Sequence, residues 1–232
     1  MNNNFKYKIA FGAVFFSLSC TVFAQTEDQI ADFTKAAKFD DVSEVQSLLS
    51  KGISPNTKDP KGNPMLFVAI REKSLKVVDL LIANKSIDVN LTNKSGETPL
   101  MIASIDGELE VDKLLVQKGA EVNRIGWTPL HYACTTGKLE VAQYLVANGA
   151  KVNALSPSDT TPLMMAVHSG NDQLVKFLLD KGADLKMRNH EGYTAIDVAE
   201  LFSKSDIRDG LTARWVKLYK EPYPGGPKKL PT

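Results

Sequence analysis

Cysteine and histidine are scarce in this sequence: its 232 residues include 2 cysteines and 3 histidines. Cys20 lies in an N-terminal segment that we expect to be removed, which leaves Cys134 as the only cysteine of the mature chain. A single cysteine excludes an intramolecular disulfide. The histidines are dispersed, at positions 131, 168 and 190, and this spacing does not match that of metal ligands. We expect neither a metal site nor a cofactor.

An excess of charge of one sign is also lacking. The chain carries 28 basic and 27 acidic residues, for a formal net charge of +1. Lys6 and Lys8 are the only charged residues among the first 24, so the remainder has a formal charge of −1. Such a balance does not support nucleic acid or an anionic membrane as a partner.

Long hydrophobic runs are confined to the N-terminus. An apolar stretch at residues 9–24 follows two lysines and ends in Val22-Phe23-Ala24. Its 16 residues fall short of the about 20 that a helix needs to span a bilayer. This layout predicts a signal peptide at residues 1–24, cleaved after Ala24. We therefore expect a periplasmic or secreted protein without an integral membrane span in the mature chain.

Two alternatives to cleavage remain for this segment. The stretch would be a membrane anchor if it were retained. Lipidation at Cys20 would also hold the protein at a membrane, although Ser17 stands where a lipoprotein signal has leucine.

Catalytic motifs are missing as well. The sequence has no Gly-x-Ser-x-Gly elbow, no Gly-x-x-x-x-Gly-Lys loop and no His-Glu-x-x-His pair. Its acidic residues are dispersed over predicted helix starts and solvated faces, where they do not form an acid–base pair. We expect that the protein is not an enzyme.

A repeated tripeptide is the strongest positive signal. Thr-Pro-Leu begins at Thr98, Thr128 and Thr161, at intervals of 30 and 33 residues. Degenerate copies begin at Pro64 and Thr194. A period near 33 is typical of stacked helical repeats, which form long binding surfaces more often than catalytic pockets.

The third unit illustrates the predicted repeat. Thr128 can cap a helix, Pro129 suits its first turn, and a second helix is predicted over residues 139–147. Glycine follows each helix at positions that favour a left-handed backbone. An earlier unit at residues 30–52 fits the same spacing, so we count six helix pairs, to about residue 215. A signature alanine recurs at Ala69, Ala103, Ala133, Ala166 and Ala199.

These features closely resemble the ankyrin repeat family, whose pattern Gly-x-Thr-Pro-Leu-His-x-Ala is matched from Gly126 to Ala133. The resemblance implies an all-α solenoid of about six helix pairs with short β-hairpin connections. The repeat domain would cover residues 25–218, with pairs at 30–52 and 194–218 as caps. The Pro/Gly-rich tail, residues 219–232, is expected to be extended or disordered, and the alternative is a docking peptide.

Departures from the family pattern are informative. Only the third unit carries the family's histidine, His131, so the polar network made by this residue should be absent from most of the stack. Lys85 replaces a helix-ending glycine. The step from Asn123 to Thr128 is three residues shorter than its counterparts, which predicts a truncated finger and a notch in the row.

The resemblance places a protein-binding groove on the concave face, at the hairpin tips and the ends of the first helices. A basic rim would come from Lys58, Lys61, Lys94 and Arg188. The other positions carried over are Asn63, Glu97, Trp127, Thr160, Tyr193, Arg71, Glu72, Ile105, Asp106, Thr135, Thr136, His168 and Ser169.

Trp127 has two interpretations, a binding anchor or a side chain that fills the space left by the missing residues. The favoured function is an exported protein-binding module, for example an inhibitor or immunity protein for a toxic envelope enzyme. Alternatives are a helper or scaffold of a periplasmic stress-response enzyme and a secreted host-directed effector. An enzyme that uses the repeats as scaffold would need a second domain, for which too few residues remain.

Overall fold

The repeats fold as paired helices. In the computed structural model, the described part of the chain, residues 25–226, contains twelve α-helices and no β-strand. The pairs are α1 (Glu27–Lys38) with α2 (Val42–Ser50), α3 (Met65–Arg71) with α4 (Leu75–Ala83), α5 (Pro99–Asp106) with α6 (Leu109–Gln117), α7 (Pro129–Thr135) with α8 (Leu139–Ala147), α9 (Pro162–Ser169) with α10 (Asp172–Asp180), and α11 (Ala195–Leu201) with α12 (Ser205–Tyr219). The predicted solenoid of six pairs is confirmed.

The repeated threonines begin the first helices. The hydroxyls of Thr98, Thr128, Thr161 and Thr194 accept hydrogen bonds from backbone N–H groups of the first turn. Proline follows three of them at a position that needs no N–H donor. Each cap satisfies a donor that the helix leaves unpaired.

A left-handed residue separates the two helices of each pair. Gly107, Gly137 and Gly170 have φ of 81°, 70° and 77°. The corresponding residues in the other pairs are Asp40, Lys73 and Ser203, with φ of 55°, 59° and 54°. The turn is therefore the same where glycine is absent, at the steric cost of a side chain in this conformation.

One continuous core runs through the stack. First helices pack side by side from α1 to α11, and second helices pack likewise from α2 to α10. The signature alanines are fully buried, as is the leucine that follows each Thr-Pro. Small side chains at the alanine positions allow neighbouring units to approach closely. Each unit is thus stabilised mainly by its neighbours.

The connections between pairs, which we call fingers one to five, are turns. The expected β-hairpins reduce to one isolated bridge between Lys58 and Pro64 within residues 25–226. Four fingers close at the tip, where a backbone N–H donates to the carbonyl four residues later at 2.8–3.0 Å. The turns join Asp59 to Asn63, Asn93 to Glu97, Ser156 to Thr160 and Asn189 to Tyr193. Such short turns leave no length for a strand ladder.

A row of asparagines joins successive fingers. The side-chain amides of Asn56, Asn90, Asn123 and Asn153 accept a backbone N–H of the next unit at 2.8–3.0 Å and donate to one of its carbonyls.

Finger three keeps this asparagine but has no closed turn. Its loop, residues 118–128, is three residues shorter than residues 148–161 of finger four, as predicted. The shortening therefore falls at the tip.

The C-terminal tail, for which the composition predicted an extended or disordered segment, packs on the last pair through Tyr223 and has no helix or strand at residues 221–226. The Tyr223 ring meets that of Trp215 at 5.0 Å between centroids. Its hydroxyl hydrogen-bonds to Thr194 Oγ1 at 2.6 Å and donates to Asp197 Oδ2. Aromatic packing and these bonds offset the entropy cost of ordering the segment.

The predicted signal peptide, including Cys20, lies outside the described residues, as do residues 227–232. Within residues 25–226, no helix is long and apolar enough to cross a membrane.

Candidate binding surface

The finger tips and the ends of the first helices form one surface, which we call the finger face. Neighbouring fingers touch: Lys58 Nζ donates to the Thr92 carbonyl at 2.8 Å, and the His190 N–H donates to the Ser158 carbonyl at 2.9 Å. Of the predicted site residues on it, Arg71, Glu72, Trp127, Thr136, His168 and Arg188 are exposed. Half-buried are Glu97, Ile105, Asp106, Thr135, Thr160, Ser169 and Tyr193, and Asn63 is buried.

Several predicted contact residues already have partners within the chain. Glu97 accepts from Tyr132 Oη at 2.9 Å and from Asn93 Nδ2 at 2.7 Å. Arg188 donates to the Gly192 carbonyl at 2.6 Å and to the Gly225 carbonyl at 3.4 Å. The tail therefore occupies part of the surface that the sequence assigned to Arg188.

The short finger leaves a notch beside Trp127. This cavity of about 180 Å³ lies between fingers two, three and four. Its lining is Ser95, Gly96, Glu97, Met101, Arg124, Ile125, Gly126, Trp127, Tyr132 and Pro157. Ile125 is 102% exposed and Trp127 is 37% exposed. Sequence reasoning identified Trp127 and missed Ile125, although an isoleucine inside a truncated loop is itself a signal.

Trp127 also packs inward. Its ring meets His131 edge-on, with centroids 5.3 Å apart. His131 is buried, and burial lowers the pKa of its imidazole. The Thr128 N–H donates to Nδ1 at 3.2 Å, so Nε2 carries the proton and donates to the Thr160 carbonyl at 2.9 Å. The indole therefore packs on a buried histidine and also presents an exposed edge to solvent. Its role as a binding anchor stays a prediction.

Comparison with known proteins identifies the repeat. A family model described as ankyrin repeats (3 copies) matches residues 33–125 and 83–156, and one described as ankyrin repeats (many copies) matches residues 145–199. The chain belongs to the ankyrin repeat family.

Curated relatives share this ankyrin region. The chain is 30% identical over 154 residues to ankyrin repeat and SAM domain-containing protein 6 of Rattus norvegicus, covering 66% of this chain and 14% of the relative. Alpha-latrocrustotoxin-Lt1a of Latrodectus tredecimguttatus is 40% identical over 82 residues, which are 35% of this chain and 6% of the toxin. The similarity therefore covers a small part of these much longer relatives, and it shows a protein-binding repeat module.

Buried reactive groups of this ankyrin stack belong to its core. Cys134 is fully buried, and burial raises the pKa of its thiol well above the usual range. Burial also raises the pKa of Asp112 to about 7, although the hydrogen bond that Ser104 Oγ donates to it at 2.6 Å acts in the opposite direction. His168, by contrast, is exposed, and its ring packs edge-on against Phe202 with centroids 4.3 Å apart. No group of three or more possible metal ligands forms within residues 25–226.

Proposed function

We propose that this ankyrin repeat protein is an exported module that holds one protein partner on its finger face, with the notch at Trp127 as the anchor point. The observation that carries the proposal is the combination of a missing finger tip with two exposed apolar side chains, Ile125 and Trp127. Elsewhere the tips are closed by their own hydrogen bonds.

Exposed apolar side chains on a rigid loop favour a protein partner. An isoleucine side chain that remains in water forgoes about 1.5–3 kcal/mol of burial energy, which a partner can recover. Tryptophan is enriched among residues that contribute most to protein interfaces. Tyr132 and Glu97 supply hydrogen-bonding groups at the edge of the notch, as a polar rim does around an apolar centre.

The N-terminal segment supports the envelope or its exterior as the compartment. Lys6 and Lys8, the apolar stretch and the Val22-Phe23-Ala24 ending predict export and cleavage after Ala24. Within this proposal the partner is an envelope enzyme that the module inhibits, as an immunity protein does. A helper of a stress enzyme and a host-directed effector would use the same surface, and the identity of the partner separates the three roles.

A photo-cross-linking side chain at position 125 tests the surface. It should capture one discrete protein from envelope extract, whereas the same group at position 218 should not. Leu218 is a matched control because it is an exposed leucine, at 54%, on α12. Without the cross-linker, Ile125→Asp should abolish affinity capture of the same protein by the immobilised chain, without changing the circular dichroism spectrum or the unfolding midpoint, since Ile125 is fully exposed. Equal capture from both positions would contradict the finger face as the site.

Cell fractionation tests the compartment. The protein should appear in the periplasmic or secreted fraction with Gln25 as its N-terminal residue. A chain that retains Lys6, or one that partitions with membranes through Cys20, would overturn the proposed cleavage.

A further inference from the structure

The tips of fingers one to three carry unpaired positive charge. Lys58 and Lys61 lie on finger one, Lys94 on finger two and Arg124 on finger three. The three lysines are exposed, and none of the four cations forms an ion pair with another residue in the described range 25–226. Inter-finger contacts keep them close: Lys58 reaches finger two through the Thr92 carbonyl.

The acidic residues of these tips face inward. Asp59 is 7% exposed and accepts from the Asn63 N–H at 2.8 Å and from its Nδ2 at 3.0 Å. Although burial alone would raise the pKa of Asp59, these hydrogen bonds hold it below the ordinary value. Glu97 is bound to Tyr132 and Asn93. The outward-facing groups of the three tips are therefore cationic.

An apolar site lies near each end of this cationic row. At one end is the notch at Ile125 and Trp127. At the other, the last turns of α1 and finger one enclose a groove of about 390 Å³. Its lining is Ala31, Thr34, Lys35, Lys38, Phe39, Asp59, Pro60 and Lys61, and the Phe39 ring is 76% exposed.

Fingers four and five differ in this respect. Asp159 and Glu191 lie on their tips with Arg188, and Arg188 is engaged by the Gly192 and Gly225 carbonyls. At the finger tips, the charge therefore favours an anionic partner at fingers one to three over fingers four and five.

We propose that fingers one to three bind an extended acidic segment of the protein partner, with one apolar side chain in the notch and another against Phe39. This inference rests on the proposed function, because it names the chemistry of the partner at the same surface. Helix pairs spaced about 8–10 Å apart place the two apolar sites roughly 16–20 Å from each other. An extended chain covers that distance in about six residues.

Paired peptides test the charge. The probe is a labelled peptide with six consecutive glutamates between two leucines, and its control has glutamine in place of every glutamate. Fluorescence anisotropy should show at least tenfold tighter binding of the glutamate peptide, and the difference should shrink as ionic strength rises past about 0.15 M. Equal affinities, or no binding of the glutamate peptide up to about 1 mM, would overturn the inference.

Charge reversal locates the site. Lys61→Glu/Lys94→Glu/Arg124→Glu should remove the tenfold preference. The matched control is Lys76→Glu/Lys176→Glu/Lys217→Glu, which changes net charge equally at exposed positions of α4, α10 and α12 and should keep the preference. Circular dichroism verifies that both triple variants fold. An equal loss in the two variants would contradict a specific site.

Cross-linking separates the two proposals. If position 125 still captures the partner in the finger-tip triple variant as well as in wild type, the acidic chemistry is wrong and the proposed function stands. If position 125 captures nothing in wild type, the proposed function itself fails.

Discussion

His131 in the third unit and Asp197 in the fifth, counted from the degenerate copy at Pro64, occupy the same position of their first helices. Each closes its unit in a different way. His131 is buried and neutral, and it donates to the Thr160 carbonyl of the next finger. Asp197 contacts no further repeat within residues 25–226, and its carboxylate accepts from the Thr194 N–H and from the Tyr223 hydroxyl of the tail. A polar contact thus links an inner unit to its neighbour, whereas at the C-terminal end the tail replaces that neighbour.

Two other units show that this polar contact is optional. Met101 and Met164 stand at the same position, and both are buried. Met101 offers only its sulfur, at 3.4 Å from the Thr98 N–H. Apolar packing therefore suffices between most units, as expected where each unit buries its faces against two neighbours.

Truncation of a core side chain should produce the largest difference in stability between an inner unit and the last unit. Leu130→Ala in the third unit should cost about 2–5 kcal/mol, since it opens a cavity that two neighbouring units cannot fill. Ile196→Ala at the end should cost less to the whole stack, because the last pair can unfold separately. Urea unfolding followed by circular dichroism measures both. A larger global loss for Ile196→Ala would contradict a stack that is weaker at its end.

Replacing His131 by methionine tests its inter-unit bond. His131→Met leaves the Thr160 carbonyl and the Thr128 N–H without their partner, so we expect a loss of about 1–3 kcal/mol. Burial lowers the pKa of His131 below its unfolded value, so its neutral form stabilises the fold above that unfolded pKa. This contribution is lost as pH falls through the unfolded value, near 6.5, towards the lower folded one. Wild type should lose more stability than His131→Met when the pH falls from 7.5 to 5. Equal losses would contradict a neutral imidazole at His131 in the folded chain.

Tyr223→Phe tests the contact between the tail and the last helix pair. The ring still packs on Trp215, and only the hydroxyl contacts with Asp197 and Thr194 are lost. We expect a cost of about 1.5 kcal/mol, because a half-buried carboxylate loses a donor. Hydrogen exchange should show the change in α11 and α12 and not in α7. A change spread evenly over the stack would argue against a local end cap.

Replacement of Asp112 in the second unit should change the stability least near neutral pH. The pH dependence of its contribution to stability should be opposite to that of His131. Its pKa of about 7 in the folded chain lies above the ordinary aspartate value of 3.8. The group therefore contributes stability at low pH that is lost as pH rises through 7. Asp112→Asn removes this dependence, so its stability relative to wild type should rise from pH 5 to pH 8. A constant difference would mean that Asp112 does not titrate in this range.

Much of the fold was readable from the repeats. Thr128 and Pro129 marked a helix start, and the predicted second helix over residues 139–147 is α8 as observed. The turns between helices were only partly predictable. The glycine pattern predicted a left-handed turn after a helix, and Asp40, Lys73 and Ser203 adopt the same conformation without glycine. At Asp40 a contact with the next unit accompanies this conformation, because the Val77 N–H donates to Asp40 Oδ1 at 2.9 Å.

The candidate site was only partly predictable. The spacing from Asn123 to Thr128 located the truncated finger, but which side chains it exposes depends on the fingers beside it. Arg188 looked available in sequence and is held by the Gly225 carbonyl, 37 residues further along the chain.

By itself, the sequence determined the period, the helix starts and the missing finger tip, because these follow from capping hydroxyls, prolines and spacing within a few residues. Only the tertiary structure decided that Ile125 remains in water, that His131 reaches Thr160 and that Tyr223 closes the last unit. These outcomes depend on contacts between residues about 30 positions apart, and such contacts are set by how rigid units stack.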